Sequence, residues 1–576
     1  MMKKMENSIV QRRGIAEQSI VIDAQPINGK SSRSRKKIGS HHDVHNSSGI
    51  IIFRIIVIAI IIICLIWGYL LIQITTGGMN SSTYNDNDNT NLASPMMMLA
   101  RPQLNRPVGK SRIGWVIQQK IHHMQLQIRP VPLLDVTQMH SPLLIITYKR
   151  ADYLERTLWK VFENHQAHKM LQQQSSNGDA SRSIRGSEDS INRHEAQRIV
   201  GAPIIISQDG PNKAVQKVIE TYRQLFEMKL GVPLYRIEHP RSAVVNEPNE
   251  WGEVDEWKTS YIQLAAHYGY ALEQTFSGSA YNDGMFSKHN RRIPNPPLPQ
   301  RVIILEEDIE IADDFFSLMN ATADLLDSDD TLLAVSAFND NGKEQLTANP
   351  KRLVRSDFFP GLGWMISRNV WYGSISHPNS GLKKNWAPGG FWDDWLREPE
   401  QRRGRQIIRP EVSRTFHFGN VDGASEGQNS NILNQIELEE NNIHWEAQDM
   451  SHLQGSSFAD KYWNRLSKAK LVDSVHEAKY HIAHSDVKII YEDFEKFRSL
   501  ALEFDIMSDE KAGVPRTGYE GIVEIRYGRG KYFIFLAPSY ITGERSHNFG
   551  NKAWRRYTKE SMMLELGIKD SPPPAW

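Results

Sequence analysis

The sequence predicts an α/β domain with a mainly parallel sheet, followed by a smaller α+β or β-rich C-terminal domain, the whole carried on a single transmembrane helix. Three observations predict it. From about Pro142 short apolar runs alternate with helix-spaced stretches; the C-terminal part is rich in strand-like segments; and one long uncharged run lies near the N-terminus. A strand covered on both faces reads as a continuous apolar run, and the helices between such strands supply the cover.

The N-terminal run, Ile55–Ile72, is uncharged and half isoleucine, and Ile50–Phe53 extend it beyond Arg54, which can snorkel to the interface. Buried soluble helices seldom run this long without a polar face, and the run starts too late for a cleaved signal peptide. Lys3, Lys4, Arg12, Arg13, Lys30, Arg33, Arg35, Lys36 and Lys37 precede it, and no Lys or Arg follows until Arg101. That asymmetry predicts a cytosolic tail over residues 1–48, a signal-anchor over 49–72 and a lumenal remainder, a single-pass type II topology. Residues 73–140 read as a stem, rich in Asn, Ser, Thr and Asp at its start. Asn80 and Asn320 begin glycosylation sequons on the lumenal side.

With 68 Lys+Arg against 67 Asp+Glu the net charge is +1, so no whole-molecule field draws the chain to nucleic acid. The single cysteine, Cys64, excludes an internal disulfide, a Cys-rich zinc site and an Fe–S cluster. A metal would need His, Asp or Glu ligands.

Within residues 141–430, Leu143–Tyr148 reads as a buried strand, and Tyr153, Leu154, Leu158, Val161 and Phe162 line one face of the helix after it. Pro203–Asp209 is a second strand, leading through a polar turn into a helix around Val218–Phe226. Val302–Leu305 is a third and runs straight into three acids; Leu332–Ala337 is a fourth. Gln172–Arg198 and Ser277–Gln300 read as surface insertions. In residues 431–576, Val487–Tyr491, Gly521–Tyr527 and Lys531–Leu536 are strand-like, with Gly528–Gly530 as a hairpin turn.

Two motifs carry chemistry. Glu306-Glu307-Asp308 ends an apolar strand, and such a concentration of carboxylates calls for a compensating cation or ordered water. Oxygen ligands suit Mg²⁺ or Mn²⁺, with diphosphate oxygens completing the shell; the bland alternative is a solvated acidic turn. The second motif is Phe391-Trp392-Asp393-Asp394-Trp395, after Pro388-Gly389-Gly390. Aromatic flanks would desolvate and strengthen a carboxylate base and suit sugar rings, and the glycines would let the loop close over a ligand. Its bland alternative is a tryptophan-packed helix start with an Asp cap. No P-loop, dinucleotide fingerprint, nucleophilic triad or zincin sequence is present.

In order along the chain, these motifs resemble the lumenal β-1,2-N-acetylglucosaminyltransferase I family. The strings are Ser207–Asp209, Glu306–Glu310 with Asp314–Phe316, SAFNDNGKEQ from Ser336, DFFPGLGW from Asp357, FWDDW from Phe391, REPEQR from Arg397, RPEVSRT from Arg409 and GVPRTGYEG from Gly513. The resemblance implies a GT-A fold in residues 141–430, a Golgi location, and inverting transfer of GlcNAc from UDP-GlcNAc with Mn²⁺. The acceptor would be a terminal α-1,3-linked mannose of N-glycans, with complex and hybrid glycans built on the product. By the same resemblance Asp308 is the metal ligand and Asp393 the catalytic base. Arg150, Asp209, His267, Glu307 and Ser425 are then donor-binding residues. Glu307 stands where the family usually has Asp, the loop with Ser425 is one residue longer, and the lumenal part lacks cysteines found in other members. The rival readings are a transferase acting on O-linked mannose and a non-catalytic lectin-like or scaffold protein that kept the fold.

Overall fold

The computed structural model describes residues 117–124, 141–165, 202–241, 256–281, 298–374, 380–419 and 433–539. Residues Met1–Pro102 form one unit, wholly outside the described set; everything below belongs to the second, Gln103–Trp576. The expected membrane span, Gln172–Arg198 and most of Ser277–Gln300 also lie outside the described residues. Among those described, no helix is long and apolar enough to cross a membrane.

The elements follow in chain order. Strand β1 (Leu143–Thr147) leads to helix α1 (Ala151–Asn164), β2 (Ile204–Asp209) to α2 (Lys213–Leu225), and β3 (Leu234–His239) to α3 (Glu256–Phe276). Next come β4 (Arg301–Glu306), β5 (Ile309–Ile311), α4 (Phe315–Ser328), β6 (Leu332–Ser336), β7 (Leu353–Ser356) and β8 (Trp364–Ser367). Helices α5 (Arg368–Tyr372), α6 (Trp392–Arg397) and α7 (Pro399–Arg402) precede β9 (Gln406–Pro410) and β10 (Thr415–His417).

The large sheet has the order β3-β2-β1-β4-β8-β6-β9-β7. The pairs of β1 with β2 and β4, of β2 with β3, and of β6 with β9 are parallel, whereas β8 and β7 run against their neighbours. Six strands therefore share one direction, and the mainly parallel expectation holds with two antiparallel members. Both faces of β1 are fully buried: Leu143 and Ile145 join the core under α1, α2 and α4, while Leu144 and Ile146 join the core under α3 and α6. Each such side chain contributes roughly 1.5–3 kcal/mol of burial, so β1 anchors the domain.

Because β1 has β2 on one side and β4 on the other, the chain switches direction across the sheet between β1 and β4. A crevice opens at that switch, beyond the carboxyl ends of the strands. Arg150 comes three residues after β1, and Glu307 and Asp308 follow β4 directly, so strand order brings them together. The small ladder of β5 with β10 then folds over that end, pairing Ile309 with His417.

The C-terminal part comprises α8 (Gly455–Lys468), β11 (Lys470–Leu471), α9 (Val475–His481), β12 (Val487–Tyr491), α10 (Phe494–Glu503), β13 (Glu510–Lys511), β14 (Val514–Pro515), β15 (Val523–Ile525) and β16 (Ile534–Pro538). Its sheet, β11-β12-β16-β15, has β15 and β16 antiparallel, as the hairpin turn predicts. Its apolar residues Trp445, Phe458, Tyr462 and Phe535 belong to the same core as β1 and α4. Fully buried Asp314 fastens the two parts, accepting from Arg414 Nε (3.1 Å) and Trp445 Nε1 (2.8 Å).

Candidate active site

Each site residue expected on a strand end is where the strand pattern puts it. Glu307 is 4% exposed and fully engaged. Its Oε2 accepts from Thr147 Oγ1 (2.5 Å) and from the Tyr148 amide (3.0 Å), and its Oε1 from Arg150 Nε (2.6 Å). Burial pushes its pKa up, and Arg150 and Thr147 only partly offset that. The longer Glu side chain thus reaches across to the end of β1 and ties β4 to it.

Arg150 also donates from Nη2 to Asp308 Oδ2 at 2.8 Å, and His417 Nε2 lies 3.4 Å from the same oxygen. Burial opposes ionisation of Asp308, but His417 and Arg150 outweigh it and hold the carboxyl well below its ordinary range. The two cations respond in kind: burial works against their charge, yet the pKa of each is raised, chiefly by Asp308. Glu306 moves the other way. Burial and then the neighbouring Asp308 push it up to about 7, although Tyr268 donates a 2.8 Å hydrogen bond to its Oε1.

Asp308 Oδ1 is buried and takes no hydrogen bond. A carboxylate oxygen enclosed without a donor fits a hard divalent cation. Among the described residues no cluster of three or more His, Cys, Asp or Glu forms a metal cage. Gly419 presses on the same carboxylate: a Cβ there would stand 2.2 Å from Asp308 Oδ2, so only glycine lets the chain pass.

The donor-binding positions on the neighbouring strands form a second cluster. Asp209 is buried, with Oδ1 2.7 Å from His239 Nδ1 and Oδ2 accepting from Arg241 Nη1 at 3.0 Å. The rings of His239 and His267 stack at 5.3 Å, and His267 Nε2 lies 2.8 Å from Ser207 Oγ. Burial lowers the His267 pKa to about 4, so its ring is neutral at physiological pH. Ser425 lies outside the described residues.

The second motif forms α6, a short helix entered through Phe391 at φ 44. Neither acid caps it. Arg397, itself buried and anchored by its Nε to the Phe359 carbonyl (2.9 Å), donates from Nη1 to Asp393 Oδ2 (2.8 Å) and Asp394 Oδ1 (2.7 Å). Asp394 Oδ2 also accepts from Lys511 Nζ at 3.1 Å. Among the described residues no donor reaches Asp393 Oδ1. Burial pushes the Asp394 pKa up, but Arg397 and Lys511 outweigh it and the net shift is down. The expected strengthening of a base by aromatic neighbours therefore fails at Asp394, because two cations hold it.

The tryptophans are not open sugar platforms either. Trp392 stacks on Tyr268 at 4.3 Å and on Trp364 at 5.7 Å, and it belongs to the core under the sheet. Gly390, expected to let the loop close, instead allows close packing: a Cβ there would meet the Ile262 amide of α3 at 2.9 Å.

Tyr268 joins the two motifs. Its ring packs on Trp392 of α6 and its hydroxyl reaches Glu306 of β4, while the charges of Asp308 and Asp393 both add to the rise in its pKa that burial begins. The metal-ligand candidate and the base candidate thus both lie within electrostatic reach of one buried tyrosine. Sequence reading missed Tyr268, His417, Arg397 and Lys511. Only Arg397, four residues after Asp393 on a helix, had a local signal.

The chain is similar in sequence to known proteins. A sequence model of the GNT-I family matches residues 179–546, more than half of the chain. The curated alpha-1,3-mannosyl-glycoprotein 2-beta-N-acetylglucosaminyltransferase of Arabidopsis thaliana is 37% identical over 344 residues, covering 59% of this chain and 67% of that protein.

Proposed function

The chain belongs to the GNT-I family, and from that premise we propose that it transfers GlcNAc from UDP-GlcNAc, in β-1,2 linkage, to a terminal α-1,3-linked mannose of N-glycans. The observation that supports the reading is the unpaired buried Oδ1 of Asp308 at the end of β4, with Tyr268 linking that strand end, through Glu306, to Trp392 beside Asp393.

In this mechanism Asp393 takes the proton of the mannose 2-hydroxyl as that oxygen bonds to the anomeric carbon. The bond from the anomeric carbon to the UDP oxygen breaks, and UDP leaves with the electron pair. A single displacement inverts the centre and needs one base, unlike a retaining double displacement. Arg397 holds Asp393 by one oxygen and leaves the other for the acceptor. Arg150, already preorganised by Glu307, supplies positive charge toward the leaving diphosphate. Asp308 would hold a divalent cation, Mn²⁺ in this reading, which when bound neutralises diphosphate charge. The same reading places the enzyme in the Golgi membrane as a type II protein, supported by the Lys/Arg asymmetry about Ile55–Ile72.

Transfer is tested with the purified full-length chain, UDP-GlcNAc and Mn²⁺ on a five-mannose N-glycan, with an O-mannosyl peptide alongside. Product on the N-glycan alone is expected. Product on the peptide alone would move the acceptor to O-linked mannose, and no product on either would leave a non-catalytic protein.

A further inference from the structure

Asp308 has a nitrogen beside it that no motif announced. His417 is the last residue of β10, and the β5–β10 ladder places it opposite Ile309, the residue after Asp308. The Phe418 amide donates to the Asp308 carbonyl at 3.0 Å, and Gly419 packs against the Asp308 carboxylate. Backbone pairing, rather than a flexible side-chain contact, thus sets the position of the imidazole relative to the carboxylate. His417 Nε2 lies 3.4 Å from Asp308 Oδ2, while Oδ1 of the same carboxylate is enclosed without a partner. Two adjacent ligands of an octahedral cation, each bonded at about 2.1 Å, stand about 3 Å apart. The imidazole nitrogen is within a few tenths of an ångström of that spacing from Oδ2, which also accepts from Arg150, and Oδ1 of the same carboxylate is the oxygen without a partner.

We infer that His417 is a second protein ligand of the divalent cation, so that this chain binds its metal through one carboxylate and one imidazole. The inference rests on the reading of Asp308 as a metal ligand and goes beyond it. An added nitrogen ligand strengthens binding of transition-series cations more than binding of Mg²⁺, because imidazole suits the former and hard oxygen sites the latter. His417 is therefore a determinant of metal choice, and a counter-ion of Asp308 only when no metal is bound.

The decisive measurement is pulsed EPR of Mn²⁺ added with UDP to the full-length chain. The expected spectrum carries a directly bonded ¹⁴N coupling that becomes a ¹⁵N pattern in histidine-labelled wild-type protein and is absent in His417→Gln and His417→Thr. Direct titration should show Mn²⁺ affinity falling about ten-fold or more in those variants, with Mg²⁺ affinity changing less. Bound Mn²⁺ without nitrogen coupling in the wild type would overturn the inference while leaving Asp308 as the ligand. Coupling that persists in both variants would do the same, assigning it to another histidine. Failure of the wild type to bind Mn²⁺ with UDP would overturn this inference and the metal reading of Asp308 together.

Discussion

The carboxylates after β4 and those on α6 are the same chemical group in opposite surroundings. Glu307 and Asp308 are each 4% exposed, whereas the side chains of Asp393 and Asp394 are 37% and 40% exposed. At the strand end burial makes every neighbour count: Glu306 rises to about 7 while Asp308, two residues on, falls below its ordinary range because Arg150 and His417 face it. On α6 solvent mutes such effects, and the two acids differ by which cations reach them. Arg397 touches both, but Lys511, from β13 far along the chain, touches only Asp394. In a buried cluster chemistry follows from packing; on a half-exposed helix it follows from a single ion pair.

The sharpest way to break that comparison is Asp308→Ala. It removes metal-dependent UDP-GlcNAc binding altogether, read by titration with and without Mn²⁺. Because it takes the carboxylate partner from His417 and one of two from Arg150, which keeps Glu307, it also costs about 3 kcal/mol of stability, visible as a lower Tm of a still folded protein. Normal donor binding with metal would place the site elsewhere.

On α6 the corresponding change affects rate and not stability. Asp393→Asn lowers turnover by about 10²–10⁴-fold with donor affinity nearly unchanged, since the group is needed mainly in the transition state. Asp394→Asn, which alters an acid whose two oxygens are already taken, costs much less. Reversal of the two effects would exchange the roles within the pair.

The third outcome concerns pH and the buried strand ends. His267 titrates near 6.5 when unfolded and near 4 when folded, lowered by burial. Between those values the unfolded chain binds the extra proton. Stability from this site is therefore complete above about pH 6.5 and lost as pH falls toward 4, by up to roughly 3 kcal/mol. Denaturant titrations at a series of pH values should show a shallower acid limb for His267→Gln than for the wild type. The smallest effect is expected at Lys511→Met, whose half-exposed pair with Asp394 contributes under about 1 kcal/mol and fades with added salt. Turnover should change less than about three-fold, in keeping with the modest coupling of exposed pairs; a larger loss would show that Lys511 positions α6.

Much of the fold was legible. β1, β2, β4 and β6 are continuous apolar runs, and the structure holds them fully or almost fully buried. β3 escaped notice because Arg236, Glu238 and His239 break its apolar run, a pattern its place at the sheet edge permits. β7 and β8 are only four residues long, and β9, as long as β1, has just Ile407 and Ile408 between Gln406 and Arg409, so no apolar run marks it. Arg150 and Asp308 were legible because each follows a recognisable strand. Asp393 stood out by its tryptophans, although these turned out to be core beneath the acid and not a face beside it.

By itself the sequence determined the alternation that makes a two-faced sheet, the acids that must end β4 and the arginine that must end β1. These are properties of neighbouring residues, since burial of a strand is written in its own side chains. The tertiary structure alone decided what those residues meet. It set Tyr268 between the two motifs, His417 against Asp308 and Lys511 on Asp394, contacts between segments 38 to 124 residues apart. Such pairings arise from strand order and layer packing, which no local pattern encodes, and at these distances they decide which cations and donors each carboxylate meets.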